Sequence, residues 1–203
     1  MKLYYAPRTI SIAVAIALNE AGIDYETHKL DFAAGEQNSD GYAAINPKGR
    51  VPALELDGTI LTETGALLEY VATLAPALMP ADAVAAAQAR SVMYYLASTM
   101  HVNHAHRLRG HRWADNEASW ADMAAKVPQT MTDSATFIET ECLAGPFVLG
   151  DTLCIADIYL FVVCGWLEGD GVDLAPFPKL RAFMAAMEER ASVQAVRANG
   201  MLP

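Results

Sequence analysis

Asp57 and Gly58 stand between two short β-rich runs, VPALEL and TILT. Asp-Gly flanked by alternating apolar residues is the strongest short-range signal for a hairpin, so the two runs pair antiparallel. A helical pattern begins at Glu63, directly after the second run. Upstream the chain alternates. KLYYA is a β-rich run ended by Pro7, SIAVAIALNEAGI is a helix that Gly22 stops, DYETHKLDF alternates apolar and polar residues like a second strand, and AAGEQNSDG is a polar loop. A strand–helix–strand unit followed by a hairpin and another helix is an α/β layer on a mixed sheet.

The pattern changes at APALMPAD, which carries two prolines and no periodicity and reads as a linker. Beyond it the sequence offers helices almost exclusively, in keeping with a bias toward Ala, Leu, Met and Glu. One long helix ends near Gly110, a second contains Pro128 as a place to kink, CIADIYLFVVCGWLEG is apolar enough for a domain centre, and PFPKLRAFMAAMEERASVQAVRANG closes the chain. The expected division is an α/β domain over 1–75, a linker over 76–81 and an all-α domain over 82–203.

A net charge of −10 gives a surface that repels phosphate backbones and anionic lipid, which argues against nucleic-acid and membrane partners. No apolar run approaches the ~20 residues a bilayer requires, and MKLYYAPRT lacks the apolar core of a signal peptide. Cys142, Cys154 and Cys164 are odd in number and show no C-x-x-C spacing, as free thiols in a reducing cytoplasm would.

Two short motifs carry chemistry, and each has two readings. Pro52 opens a strand, and an X-Pro bond is the one kind that is cis at modest cost. A cis bond would turn the Val51 backbone outward to pair with an extended peptide ligand; a trans bond would only trim the strand. Glu63-Thr64 opens a helix, whose unpaired N–H groups and partial positive charge attract a carboxylate while Glu63 holds an ammonium beside it. The other reading is capping by Thr62 or Thr64. His101, His104, His106 and His111 include pairs on one helix face. They lack a Cys or carboxylate at ligand spacing, so no metal site is assigned.

Taken in order, KLYYAP, INPKGRVPAL, the Asp57-Gly58 hairpin, the LTE helix start, a proline-containing linker and a helical half resemble the soluble glutathione transferases. The likeness is greatest to bacterial beta-class members and covers nearly the whole chain. It implies a thioredoxin-like N-terminal domain, an all-α C-terminal domain, a cytoplasmic homodimer, and detoxification by joining glutathione to a small, largely apolar electrophile without a metal. It also implies a cis Pro52, a Val51 backbone paired with the cysteinyl moiety of glutathione, and Glu63 and Thr64 at its γ-glutamyl end. Arg50 is expected near the glycyl carboxylate, Lys48 as a solvated charge, and His101 matches a histidine often found near the ligand.

In this family a Tyr, Ser or Cys near the first helix contacts the sulfur. The beta-class cysteine aligns with Ile10, so thiol–disulfide chemistry through that position has no side chain to use. Thr9 and Ser11 flank it and are the candidate catalytic hydroxyls, Thr9 as the donor to sulfur because it precedes the helix, Ser11 as the cap. Arg8 would add a cation beside a thiolate. The lysine often found near Gly35 is replaced by Glu36 and Gln37. GDTLCIADIYLF resembles the family's central helix start, with Cys154 at the cap and Asp157 bonding backbone amides for folding. Asn103, Arg107 and Arg109 face the partner subunit's site or the open pocket for the electrophile, or are solvated. Alternatives of the same fold are a non-catalytic glutathione-binding module and a glutathione-dependent lyase, isomerase or peroxidase.

Overall fold

The computed structural model describes residues 1–202. Its strands are β1 (Lys2–Tyr5), β2 (Glu26–Lys29), β3 (Ala53–Leu56) and β4 (Thr59–Thr62), in sheet order β2-β1-β3-β4. β1 runs parallel to β2 with Lys2 opposite Glu26, and antiparallel to β3 with Tyr4 opposite Ala53. β3 and β4 form the expected hairpin, with Ala53 opposite Thr62. Asp57 and Gly58 have φ values of 47° and 86°, the two positive angles that a tight hairpin matching the strand twist demands.

Helix α1 (Ser11–Glu20) crosses from β1 to β2, and every residue from Ser11 to Leu18 is buried. It has no solvent face because β1, α3 (Thr64–Leu74) and α9 (Ala191–Ala198) all pack against it. The short α2 (Asp40–Ala43) precedes β3, capped by the Ser39 hydroxyl, which accepts from the Tyr42 amide. Backbone proximity groups Met1–Ala81 with the residues from Met187 on, and Asp82–Ala186 separately. The closing segment, expected within an all-α domain over 82–203, thus returns to the first unit, because α9 buries its apolar face on α1.

In the second unit, α4 (Ala83–Tyr95), a π-turn over Leu96–Met100 and α5 (His101–Arg109) make one long run. Helix α6 (Glu117–Phe137) continues through Pro128 and ends in a second π-turn, Ile138–Cys142. Helix α7 (Ile155–Cys164) is buried along its whole length, as its composition requires, and α8 (Pro178–Glu188) follows. The start of α7 is fixed by Asp157, whose carboxylate accepts from the Val148 amide at 2.7 Å and the Cys154 amide at 2.8 Å. Burial raises its pKa, and those amide bonds oppose the rise.

The three cysteines are free and buried. Burial pushes the Cys142 thiol up to about 11 and Cys154 to about 12, and Cys164 rises as well, so none is poised as a thiolate. Among the described residues no helix is long and apolar enough to cross a membrane.

Candidate functional site

Two chain junctions on the first unit carry the candidate residues. Between β1 and α1, Arg8 adopts φ 61°, and Thr9 follows it, partly exposed. The Thr9 hydroxyl lies 2.6 Å from the Ser11 hydroxyl and 2.8 Å from the Ala6 carbonyl. Ser11 Oγ is 3.2 Å from that same carbonyl and accepts from the Ala6 amide at 3.2 Å. Two hydroxyls 2.6 Å apart share one proton between them, and the other is donated to the Ala6 carbonyl, by Thr9 at 2.8 Å or by Ser11 at 3.2 Å, so a ligand's acceptor would have to take it from there. Ser11 is 0% exposed, which leaves Thr9 as the member able to meet a ligand. When Thr9 donates outward, Ser11 donates to Thr9 Oγ1, and each bond polarises the next.

The expectation that Ser11 caps α1 does not hold. The cap residue is Ile10, without a side-chain bond, and the amides of Ile12 and Ala13 donate to the Thr9 and Ile10 carbonyls. Ser11 sits one residue too far into the helix to cap it, and bonds back to Ala6 instead. Ile10 is itself buried, its side chain in the core.

The second junction runs from Asn46 to Thr64. The Val51–Pro52 bond is cis. Val51 precedes β3, and the β1–β3 ladder stops at Tyr4 and Ala53, so the Val51 backbone stands outside the sheet. The peptide leading into it is clamped, because the Arg50 carbonyl accepts from the Tyr42 hydroxyl at 2.7 Å and from Asn46 Nδ2 at 2.6 Å. Both donors are buried, and burial pushes the Tyr42 hydroxyl up to about 12, keeping it protonated and donating. Neither residue stands out in the sequence as a site residue. Asn46 had a signal in Asn-Pro-Lys-Gly, since an Asn side chain bonds backbone two residues on, as Oδ1 does here to the Lys48 amide at 3.2 Å. Tyr42 had none. Arg50 projects from an exposed position.

At the start of α3, Glu63 is the cap residue with φ 74° and ψ 119°, and no side chain caps the helix. That backbone is costly for a residue with a Cβ, about 1–3 kcal/mol. Capping by Thr62 or Thr64 is therefore corrected: Thr62 Oγ1 accepts from Lys48 Nζ at 2.8 Å, and Thr64 is buried as the first helical residue. Lys48, expected as a solvated charge, is exposed but also donates to Glu63 Oε1 at 2.5 Å. The first turn of α3 thus presents amide N–H groups beside a carboxylate whose present partner is an ammonium.

The loop after β2 is closed on itself. Glu36 pairs with His28 Nε2 at 3.0 Å and accepts from the Asp31 amide at 2.7 Å, and these bonds hold its carboxyl below its ordinary value. Its charge is engaged within the loop. Gln37 Oε1 is enclosed and unpartnered.

In the second unit His101 lies against Trp166, ring centres 4.9 Å apart, and His104 stacks on the same indole at 4.3 Å. His104 Nδ1 is 2.7 Å from Asp170, which Arg107 also reaches at 3.3 Å. His106 packs on Trp113, His111 approaches Trp120, and Asn103 donates to the Ser134 hydroxyl at 3.3 Å. Each of these four histidines packs against an indole, and no group of three His, Cys, Asp or Glu that could hold a metal occurs among the described residues.

Residues 1–73 match the glutathione S-transferase N-terminal domain, and residues 127–186 match the C-terminal domain. The chain belongs to the glutathione S-transferase family. It is 32% identical to glutathione S-transferase GstA of Escherichia coli O157:H7, over 99% of this chain and all of that one. A glutathione transferase homologue from Sulfitobacter, solved with bound glutathione, is 59% identical with a TM-score of 0.98, over 99% of this chain and 98% of its own. A beta-class glutathione S-transferase of Sphingomonas chungbukensis is 32% identical with a TM-score of 0.84, over 99% of this chain and all of its own.

Proposed function

We propose that the protein is a glutathione transferase in which the Thr9 hydroxyl activates the thiol without a cysteine at the first helix. One observation carries the reading most. The Arg50–Val51 peptide is clamped ahead of a cis proline beside the uncapped start of α3, as a backbone docking strip for an extended tripeptide with an amino-acid end would be. Val51 and Pro52 take the cysteinyl moiety, Glu63 the ligand ammonium in place of Lys48, Thr64 and the first-turn amides the γ-glutamyl carboxylate, and Arg50 the glycyl end. The sulfur then falls to the β1–α1 junction.

A free thiol has a pKa of about 8.5 and is only a few per cent thiolate at neutral pH. A donated hydrogen bond at a helix N-terminus stabilises the anion more than the neutral thiol and lowers that value. The thiolate attacks an electrophilic carbon, the S–C bond forms, and the displaced group or the adjacent carbon takes the negative charge. Holding both reactants together supplies the remainder. A homodimer in the cytoplasm completes the proposal.

Calorimetric titration with glutathione in two buffers of different ionisation heat tests it. Binding with proton release supports thiol activation. Binding without release points to a non-catalytic module, and no binding refutes the reading. A panel of electrophiles scored for conjugate, isomer and peroxide turnover then separates transfer from the other glutathione-dependent reactions.

A further inference from the structure

The C-terminal helix reaches back to the loop that carries Thr9. α9 ends with Gly200 in the left-handed region at φ 68°, its amide bonded to the Arg197 carbonyl at 2.9 Å, and the Met201 amide bonded to the Val196 carbonyl at 3.0 Å. These two bonds define a Schellman turn. The turn buries the Met201 side chain and aims its carbonyl at the loop, where it accepts from the Arg8 amide at 3.1 Å. Arg8 is one of the few residues with a Cβ at positive φ, and such a conformation persists where the surroundings over-determine it. The tail does not hang loosely: Arg190 and Ser192 tie the start of α9 to Glu20 at the far end of α1, the serine at 2.6 Å.

We propose that the Met201 carbonyl, set in place by the Gly200 turn, is a positioning group for Thr9. It holds Arg8 left-handed, and so sets the direction in which the next residue presents its hydroxyl. The Ala6 amide, donating to Ser11 Oγ at 3.2 Å, anchors the loop at Ala6 whichever way the hydroxyl protons point, and the tail anchors it at Arg8, so Thr9 is fixed from both sides. This rests on the reading of Thr9 as the donor to the glutathione sulfur.

The fold supplies a matched control. Helix α1 ends in the same kind of turn, with Gly22 at φ 65°, its amide 3.1 Å from the Asn19 carbonyl and the Ile23 amide 3.0 Å from the Leu18 carbonyl. A Cβ at either glycine meets nothing within 4 Å and the two φ values differ by little, so a Cβ imposes the same backbone strain at different ends of the unit, which the β-branching of Gly22→Val and Gly200→Val increases. Gly200→Ala is the milder companion.

The experiment measures amide hydrogen exchange at Arg8, the pKa of the glutathione thiol in the binary complex, and kcat and KM, in wild type and these three variants. Gly200→Val should unprotect the Arg8 amide and raise the bound thiol pKa by about one unit, which removes about tenfold of the thiolate well below that pKa. kcat falls with it while KM for glutathione is held, and Gly200→Ala shows the same change in smaller degree. Gly22→Val should show none of it. Unchanged Arg8 exchange in Gly200→Val overturns the proposal. So does lost protection with an unchanged thiol pKa, or an equal pKa change in Gly22→Val. A wild-type protein that binds glutathione without lowering its thiol pKa refutes instead the role given to Thr9.

Discussion

Thr9→Val removes the hydroxyl while keeping the shape of the side chain. Ser11 keeps the Ala6 carbonyl as an acceptor at 3.2 Å, so the fold loses little. What is lost is the proton that Thr9 gives to the Ala6 carbonyl at 2.8 Å and would turn from there to a ligand, Ser11 donating to Thr9 in its place. A hydrogen bond to a charged group contributes about 1.5–3 kcal/mol. At 1.36 kcal/mol per unit, that raises the pKa of bound glutathione by about one to two units. The assay is the ultraviolet absorbance of thiolate in the binary complex, titrated against pH. Thr9→Val should shift the curve upward, lower kcat/KM at neutral pH by about ten- to a hundredfold, and leave the affinity for S-methylglutathione, which has no thiol to ionise, unchanged. Thr9→Ser should restore the curve. A titration that does not move would show that the donor is a backbone amide of the α1 start or the Arg8 cation, and that Thr9 only shapes the loop.

Ser11→Ala leaves the buried Ala6 amide without its acceptor, and should lower unfolding free energy by about 1–3 kcal/mol, read from urea denaturation. An unchanged midpoint would mean that water replaces the hydroxyl. Glu63→Gln should weaken glutathione binding in calorimetry by about 1.5–3 kcal/mol, with kcat little affected, and undiminished affinity would assign the ammonium to another group. Burial works to raise the Glu20 carboxyl, but the hydrogen bonds from Arg190 and Ser192 outweigh it and hold its pKa below the ordinary 4.5. A lowered native pKa means stability that is present above 4.5 and lost as pH falls through the native value. Arg190→Ala should therefore destabilise the protein at neutral pH and flatten the stability curve between pH 4.5 and the onset of acid unfolding. A parallel curve would exclude the pair as its source.

Local chemistry made the first unit legible. Asp57-Gly58 admits few alternatives, and Pro7, Gly22 and the linker prolines punctuate the rest, so the elements and the β3–β4 pairing were legible, while the place of β1 between β2 and β3 had no local signal. The function was legible through the resemblance of INPKGRVPAL and LTE, not through any one residue. What escaped were partners chosen by the fold. Lys48 reaches Glu63 and Thr62 only because the hairpin brings the two loops together. Tyr42 gains its role from a carbonyl eight residues away, and α9 belongs with α1 because a helix apolar on all sides needs more cover than a sheet and one helix supply. Ser11 shows the limit within a single turn: cap and first helical residue differ by one position, and a serine suits either.

The π-turn at Leu96–Met100 has a consequence for the helix beyond it. Accommodating one extra residue in a turn advances everything downstream by about 100° around the axis, the angle one residue occupies in an α-helix. A helical wheel drawn continuously from Ala83 to Arg109 therefore assigns the wrong faces after Met100, and the turn works as a phase shifter between two stripes. Upstream of it Ala86, Ala89 and Met93 are the buried row; downstream, His101 and His104 come round together onto Trp166. Deleting a single residue within 96–100 would leave a longer, more regular helix and carry both imidazoles off the indole, so here helical regularity and aromatic packing pull in opposite directions.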